Sequence, residues 1–265
     1  MNYINSFYWK ADRPHNAAMT PVLALSLIAV TSLVTSFISG ILGMAGGMIL
    51  MGVLLALMPL PAAMMLHGIS QLTANGWRAF MLKDSIDWRV FRGYTVGAAI
   101  ALLGFTLLQF VASKPVALIL MGLTPFVGLA LPERFHLNVE RRGQSFLCGL
   151  INTAIALVAG ISGPILDLFF IRSKMGRHAV VATKATVQSL SHLMKIGYFG
   201  GILSASGGSV DPLLAVTVVV LAVVGTSLSK QVLERISDTA FRRWTRWTVM
   251  TLGTFYLASG ILALL

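Results

Sequence analysis

Acidic side chains are scarce in this chain: nine Asp and Glu stand against twenty Lys and Arg, and charged residues make up only 11% of its 265 positions. A soluble domain carries roughly a quarter charged residues. With 56% hydrophobic residues and a mean hydropathy of +0.82, the shortage excludes a soluble globular protein. The length allows about eight membrane spans of ~20 residues with short connections. Cysteine is nearly absent too. Cys148 is the single one and lies in an apolar run, which excludes an intramolecular disulfide and a cysteine metal cluster. There is no Walker A loop, no Gly-x-Ser-x-Gly elbow, no His-Glu-x-x-His and no soluble domain of any size. ATP-driven transport and intramembrane proteolysis therefore lack support, no enzyme activity and no cofactor are expected, and any transport must draw on an ion gradient or the membrane potential.

The formal charge of +11 does not point to nucleic acid, because the basic residues sit in the connections between apolar runs. They group as Arg89 and Arg92; Arg134, Arg141 and Arg142; Arg172, Lys174 and Arg177; and Lys230, Arg235, Arg242, Arg243 and Arg246. That is the pattern of cytoplasmic loops. The bilayer is the expected environment, nucleic acid is not an expected partner, and a homodimer is left open. The first 19 residues are polar and aromatic, and no small-residue cleavage site follows the apolar run from Val22 to Leu42. That run is expected to stay in the mature protein.

What is present is an internal repeat. Gly43-Met-Ala-Gly46-Gly47 recurs as Gly160-Ile-Ser-Gly163-Pro164, and the same 117-residue offset carries Ile38 onto Ile155, Ala62 onto Ala179, Gln71 onto Gln188 and Arg78 onto Lys195. A seven-residue gap then brings Asp87 onto Asp211. Weak symmetry of this length is the mark of a duplicated membrane bundle. The chain divides into an N-terminal segment (1–21), a first transmembrane repeat (22–132), a basic connecting loop (133–143) and a second repeat (144–265).

Apolar runs occupy about 22–42, 47–58, 62–82, 90–111, 115–131, 144–160, 164–172, 178–200, 211–229 and 247–264. The runs at 47–58 and 164–172 make helices of about 18 and 13 Å, too short for a hydrocarbon core of ~30 Å. Each follows a glycine motif, and Pro164 suits a first helical turn. These are half-helices, expected to face inward, since broken backbone in lipid needs protein or a watery cavity around it. Their N-terminal amides, carrying partial positive charge, form a natural anion receptor.

The helix at 62–82 runs from the neutral Pro59-Leu60-Pro61 turn into a basic loop, whereas its copy starts after a basic loop and ends in neutral residues. The expected fold is thus all-α and polytopic, with two inverted repeats, each a glycine-broken hairpin followed by three spans. Basic loops are then cytoplasmic and the C-terminus outside, with Lys10 and Arg13 mild evidence against an external N-terminus. A parallel pair of halves is the alternative.

His67, Gln71, Asn75 and Arg78 are spaced 4, 4 and 3, which places them within about 80° of one helical face; Lys184, Gln188, His192 and Lys195 repeat the spacing. Polar side chains at the centre of a span face a cavity or one another. Gln71, Gln188 and Asn75 read as substrate contacts, with bonds between packed helices as the alternative. Arg78 and Lys195, near the ends of their apolar runs, read as snorkelling to the interface. Lys184, deeper in its run, needs an anionic partner, either Asp167 or a substrate. Asp167 and His192 are candidates for a counter-ion or for proton coupling. Trp77, Trp88, Trp244 and Trp247 suit interfacial anchors.

The stretch Ser39-Gly-Ile-Leu-Gly-Met-Ala-Gly-Gly47, a short apolar helix, a Pro-containing turn, a polar-striped helix and then Asp87-Trp88-Arg89, with a degenerate second copy, resembles the TauE/SafE family of sulfite exporters. The resemblance implies a secondary carrier of the bacterial inner membrane that moves sulfite, organosulfonates or related sulfur anions, often outward. The second copy departs from the family pattern at Gly163-Pro164, at Asp211-Pro212 and at Lys184. The expected site lies between the two hairpins and draws on Gly46, Gly47, Ser162, Gly163, His67, Gln71, Asn75, Lys184, Gln188 and His192, with no metal. An anion channel and a sulfonate uptake permease are the alternative functions.

Overall fold

The computed structural model describes residues 21–42, 44–130, 137–233 and 238–265. The N-terminal segment with Lys10 and Arg13, Gly43 of the first glycine motif, Arg134 in the connecting loop and Arg235 lie outside the described residues. Among the described residues all regular structure is helical: α1 (Pro21–Leu42), α2 (Ala45–Leu57), α3 (Leu60–Met81), α4 (Trp88–Leu108), α5 (Lys114–Ala130), α6 (Gln144–Ala159), α7 (Gly163–Phe170), α8 (Arg177–Ala205), α9 (Pro212–Leu233) and α10 (Asp238–Leu262).

Local chemistry sets the boundaries. Pro61 enters the first turn of α3 and Pro164 that of α7, where proline's missing N–H is no loss. The Asp87 carboxylate accepts from the amides of Arg89 (2.9 Å) and Val90 (3.0 Å), capping α4. Asp211, its counterpart under the repeat, accepts from Leu214 N at 2.8 Å and caps α9. Helix α6 stops at Gly160, whose φ of 78° lies in the left-handed region that favours glycine.

The half-helices match expectation in place and length. At 1.5 Å per residue the 13 residues of α2 and the 8 of α7 reach about 20 and 12 Å. Among the described residues three segments, Val22–Ile41, Trp88–Leu108 and Pro212–Ser229, are both long and apolar enough to cross a membrane. Two helices outrun their apolar stretches. Helix α8 continues through Gly200 and Gly201 to Ala205, and α10 begins at Asp238, ahead of Trp244 and Arg246. Hydropathy marks the lipid-embedded part of a helix, whereas backbone hydrogen bonding continues into polar turns.

Each half-helix sits at the centre of a buried cluster. Met48, Met51, Leu54 and Leu55 of α2 pack with Met64, Leu66, Met121 and Phe199; Leu166 and Phe169 of α7 pack with Tyr94, Cys148 and Val187. Outside this core, α1, α4 and α9 expose rows such as Val96, Ile100, Leu103 and Leu107, or Val216, Val220 and Val224. Apolar surface of that extent suits lipid, not water. All four predicted anchors, Trp77, Trp88, Trp244 and Trp247, are exposed.

The helix pairs have defined sense. Gly200 lies beside Met65, Gly68 beside Ile196 and Gly76 beside Ser189, so α3 and α8 cross antiparallel. Gly40 approaches Ser229 and Ser36 approaches Gly225, so α1 and α9 run parallel; Gly93 with Ser145 and Gly97 with Leu150 make α4 and α6 parallel as well.

Candidate functional site

The two glycine breaks meet. Gly163, opening α7, lies against Met44 at the start of α2, and Gly160 against Met51 and Met64. Between them passes the α3–α8 crossing, and its polar side chains tie the breaks together. His67 on α3 bonds the carbonyl of Gly47 through Nε2 (3.0 Å), which fixes that nitrogen as the donor and leaves Nδ1 as an acceptor. Lys195 Nζ on α8 donates to His67 Nδ1 (2.7 Å) and to the Gly160 carbonyl (2.9 Å). One hydrogen-bonded chain therefore runs Gly47, His67, Lys195, Gly160, from the first break to the second.

Lys195 corrects the sequence expectation most. It is 0% exposed, not snorkelling, because α8 continues ten residues beyond it and places it in mid-helix. Among the described residues no carboxylate pairs with it; its partners are an imidazole and a carbonyl. Arg78, its counterpart, does likewise on the other side, donating to Ser39 O (3.2 Å) at the end of α1 and to Asn75 Oδ1 (3.3 Å). Near the C-terminal ends of both α1 and α6 a cation thus binds carbonyl oxygen, where the backbone dipole is negative. The position of Lys195 ahead of the Ser206-Gly207-Gly208 turn was the available sequence signal.

The other predicted residues divide. Gln71 packs its amide against Gly47, and its Nε2, buried, has no partner among the described residues. Asn75 donates to the Gln71 carbonyl at 2.9 Å. His192 is 7% exposed, its ring centroid 5.7 Å from that of His67, and its Nδ1 is likewise buried without a partner. Gly46 is wedged against Thr35 and Ser39 of α1, and Ser162, buried, is the residue from which α7 starts. Lys184 stands apart. It pairs with Asp167, with side chains 26% and 36% exposed, and lies eleven residues before Lys195, about 16 Å along the helix. Gln188, one turn nearer, is half-buried. A cleft of about 190 Å³ opens elsewhere, lined by Asp87, Arg89, Glu140, Arg141 and Arg142 among others, and none of the predicted site residues borders it.

Sequence reasoning missed a second polar cluster. Asn152 on α6 donates to the Tyr94 hydroxyl on α4 at 2.6 Å, and both are buried.

A family model described as sulfite exporter TauE/SafE matches residues 27–256, nearly the whole chain. The chain belongs to the TauE/SafE family. Membership makes this TauE/SafE protein a membrane transporter of sulfite or a related anion. No curated protein and no solved structure matches the chain.

Proposed function

We propose that this TauE/SafE protein is a secondary carrier of the bacterial inner membrane that exports sulfite, or an organosulfonate or related sulfur anion, by alternating access. The membrane potential or a proton gradient drives it. The observation that carries the reading is the fully buried Lys195 at the meeting of two helix breaks, bonded only to neutral groups. A cation so placed favours an anion, and the unpartnered amide of Gln71 and ring nitrogen of His192 on the same crossing add groups to bind it. Gly46, Gly47, Ser162 and Gly163 supply half-helix amides, Asn75 and Gln188 flank them, and His67 joins Lys195 in the site.

The alternating motion follows from residues 22–132 and 144–265 being inverted repeats joined through 133–143. Three observations support this. Asp87 and Asp211 cap equivalent helices; α1 packs on α9 as α6 packs on α4; and α3 crosses its own copy α8 antiparallel. Two antiparallel copies of one span point opposite ways across the bilayer, which also brings the basic residues after α3 and before α8 to one face, the cytoplasmic one. The protein works in the bilayer with a small anion as its ligand, as a monomer or a homodimer.

Purified protein in liposomes, loaded with radiolabelled sulfite, tests the reading. Efflux should saturate, compete with sulfonates more than with carboxylates, and respond to an interior-negative potential. At 100 mV each net charge moved is worth ~2.3 kcal/mol, about 50-fold in the outside-to-inside ratio. Absence of sulfite flux would end the proposal, and unitary currents would reassign the protein as an anion channel.

In this reading the Lys184–Asp167 ion pair is a counter-ion pair on the anion's route. Asp167→Asn would free the ammonium, so the KM for sulfite is expected to fall about three- to tenfold. An unchanged KM would remove Lys184 from the route.

A further inference from the structure

The chain from Gly47 through His67 and Lys195 to Gly160 contains one link that joins the two halves of the molecule. Gly47 and His67 belong to the first half and Lys195 and Gly160 to the second, so the 2.7 Å contact between His67 Nδ1 and Lys195 Nζ is the link across the boundary. Any motion of one half against the other must strain or break it. The link also has a defined proton count. Nε2 already donates to Gly47, so Nδ1 can accept from Lys195 only while the ring is neutral.

We propose that His67 Nδ1 is the proton site of the carrier, and that a proton taken up there opens the His67–Lys195 link and is bound together with the anion. This rests on the anion-carrier reading above in the form driven by the membrane potential: a proton leaving with divalent sulfite still lets one net negative charge move outward, whereas an inward proton gradient opposes the step. The step is a simple protonation: water on the open side delivers H⁺ to the Nδ1 lone pair, the hydrogen bond from Lys195 Nζ is lost, and no covalent bond breaks. Imidazolium and ammonium then face each other as two donors with no acceptor between them. An oxyanion accepts from both, so it binds best to the protonated pair, and the proton leaves when the anion does. The coupling is reciprocal: each ligand raises the affinity for the other by the same factor.

Neighbouring groups leave few competitors for this role. Helices α1 and α2 bring no ionisable side chain, and α9, packed on α3, brings Lys230 alone. From α6 comes Cys148 and from α4 come Tyr94, bonded to Asn152, and Arg89 and Arg92 in its first turns. On α7, Asp167 is held by Lys184; on α10, Tyr256 donates to Met48 O at 2.9 Å. On the crossing itself, Arg78 is bonded to Ser39 and Asn75 and Tyr198 to the carbonyls of Phe105 and Phe110, so the His192 ring and Lys195 Nζ are the titratable groups beside His67.

The test compares sulfite affinity of purified wild-type protein, His67→Gln, His192→Gln and Lys195→Arg in detergent, by calorimetric titration at half-unit steps from pH 5.5 to 8.5. Sulfite titrates identically in every sample, so the ratio of affinities at each pH isolates the protein. One linked proton changes that ratio by up to tenfold per pH unit. The expected result is that wild type gains on H67Q by at least tenfold between pH 8 and pH 6, while H192Q and K195R keep the wild-type slope. A ratio to H67Q that is flat with pH overturns the proposal; so does loss of the slope in H192Q, which would put the proton on that ring, or in K195R, whose guanidinium does not titrate, which would put it on Lys195 Nζ. If H67Q does not fold, as judged by size exclusion and thermal melting, H67N takes its place in the same comparison. Failure of wild type to bind sulfite at any pH overturns the carrier reading itself, a distinct outcome.

Discussion

Replacement of Lys195 with methionine is expected to reduce kcat/KM for sulfite by at least about tenfold and up to about 150-fold. Methionine keeps most of the volume and loses the charge. The anion then lacks a charge-assisted partner worth roughly 1.5–3 kcal/mol, where each 1.36 kcal/mol is tenfold. Gly160 O and His67 Nδ1 are left without their donor, so the chain between the breaks is cut. Stability moves less than transport, because a buried ammonium is costly to desolvate and its removal offsets part of the lost bonding. Lys195→Arg, which retains a cation, should recover part of the flux. Transport by K195M within threefold of wild type would remove this residue from the site.

Gly46→Ala is expected to destabilise the protein by more than about 3 kcal/mol, at the upper end of what overpacking does. A methyl group there would lie 2.0 Å from the Thr35 carbonyl oxygen and 2.7 Å from the Ser39 amide, both backbone atoms of α1 that cannot move alone. The hairpin of α1 and α2 must open, and the half-helix with it. Gly47→Ala, one residue on, makes a sharp contrast. Its methyl would meet the Gln71 side chain at 3.2 Å, an amide that can turn aside, so the fold should survive with a change below about 1 kcal/mol. Thermal unfolding of both variants in one detergent checks this; equal melting temperatures would show that the hairpin is not packed as described.

Several features were legible before any coordinates because they depend on local or compositional physics. The two short runs after the glycine motifs became α2 and α7 within about two residues. Glycine disfavours helix interiors and proline suits first turns, wherever the segment ends up. The paired polar stripes were equally readable, since helical spacing alone puts His67, Gln71 and Asn75 on one face.

The assignment of the cations was not legible. Lys184 looked deep and Lys195 looked peripheral because depth was counted from the ends of apolar runs. The helix extends past its apolar run, which moves Lys195 to the middle, while α7 offers Asp167 to Lys184. Whether a lysine is paired, solvated or enclosed depends on side chains far away in sequence: 128 positions separate His67 from Lys195.

The amino-acid order alone determined that this is a membrane-embedded, all-helical chain with two interrupted helices, because hydropathy, helical period and glycine placement act over a few residues at a time. The tertiary structure decided which cation lies enclosed between the interruptions and which polar groups join them, because that is settled by two helices crossing at one angle and register. Local sequence sets what each helix presents, and only the crossing sets what it meets.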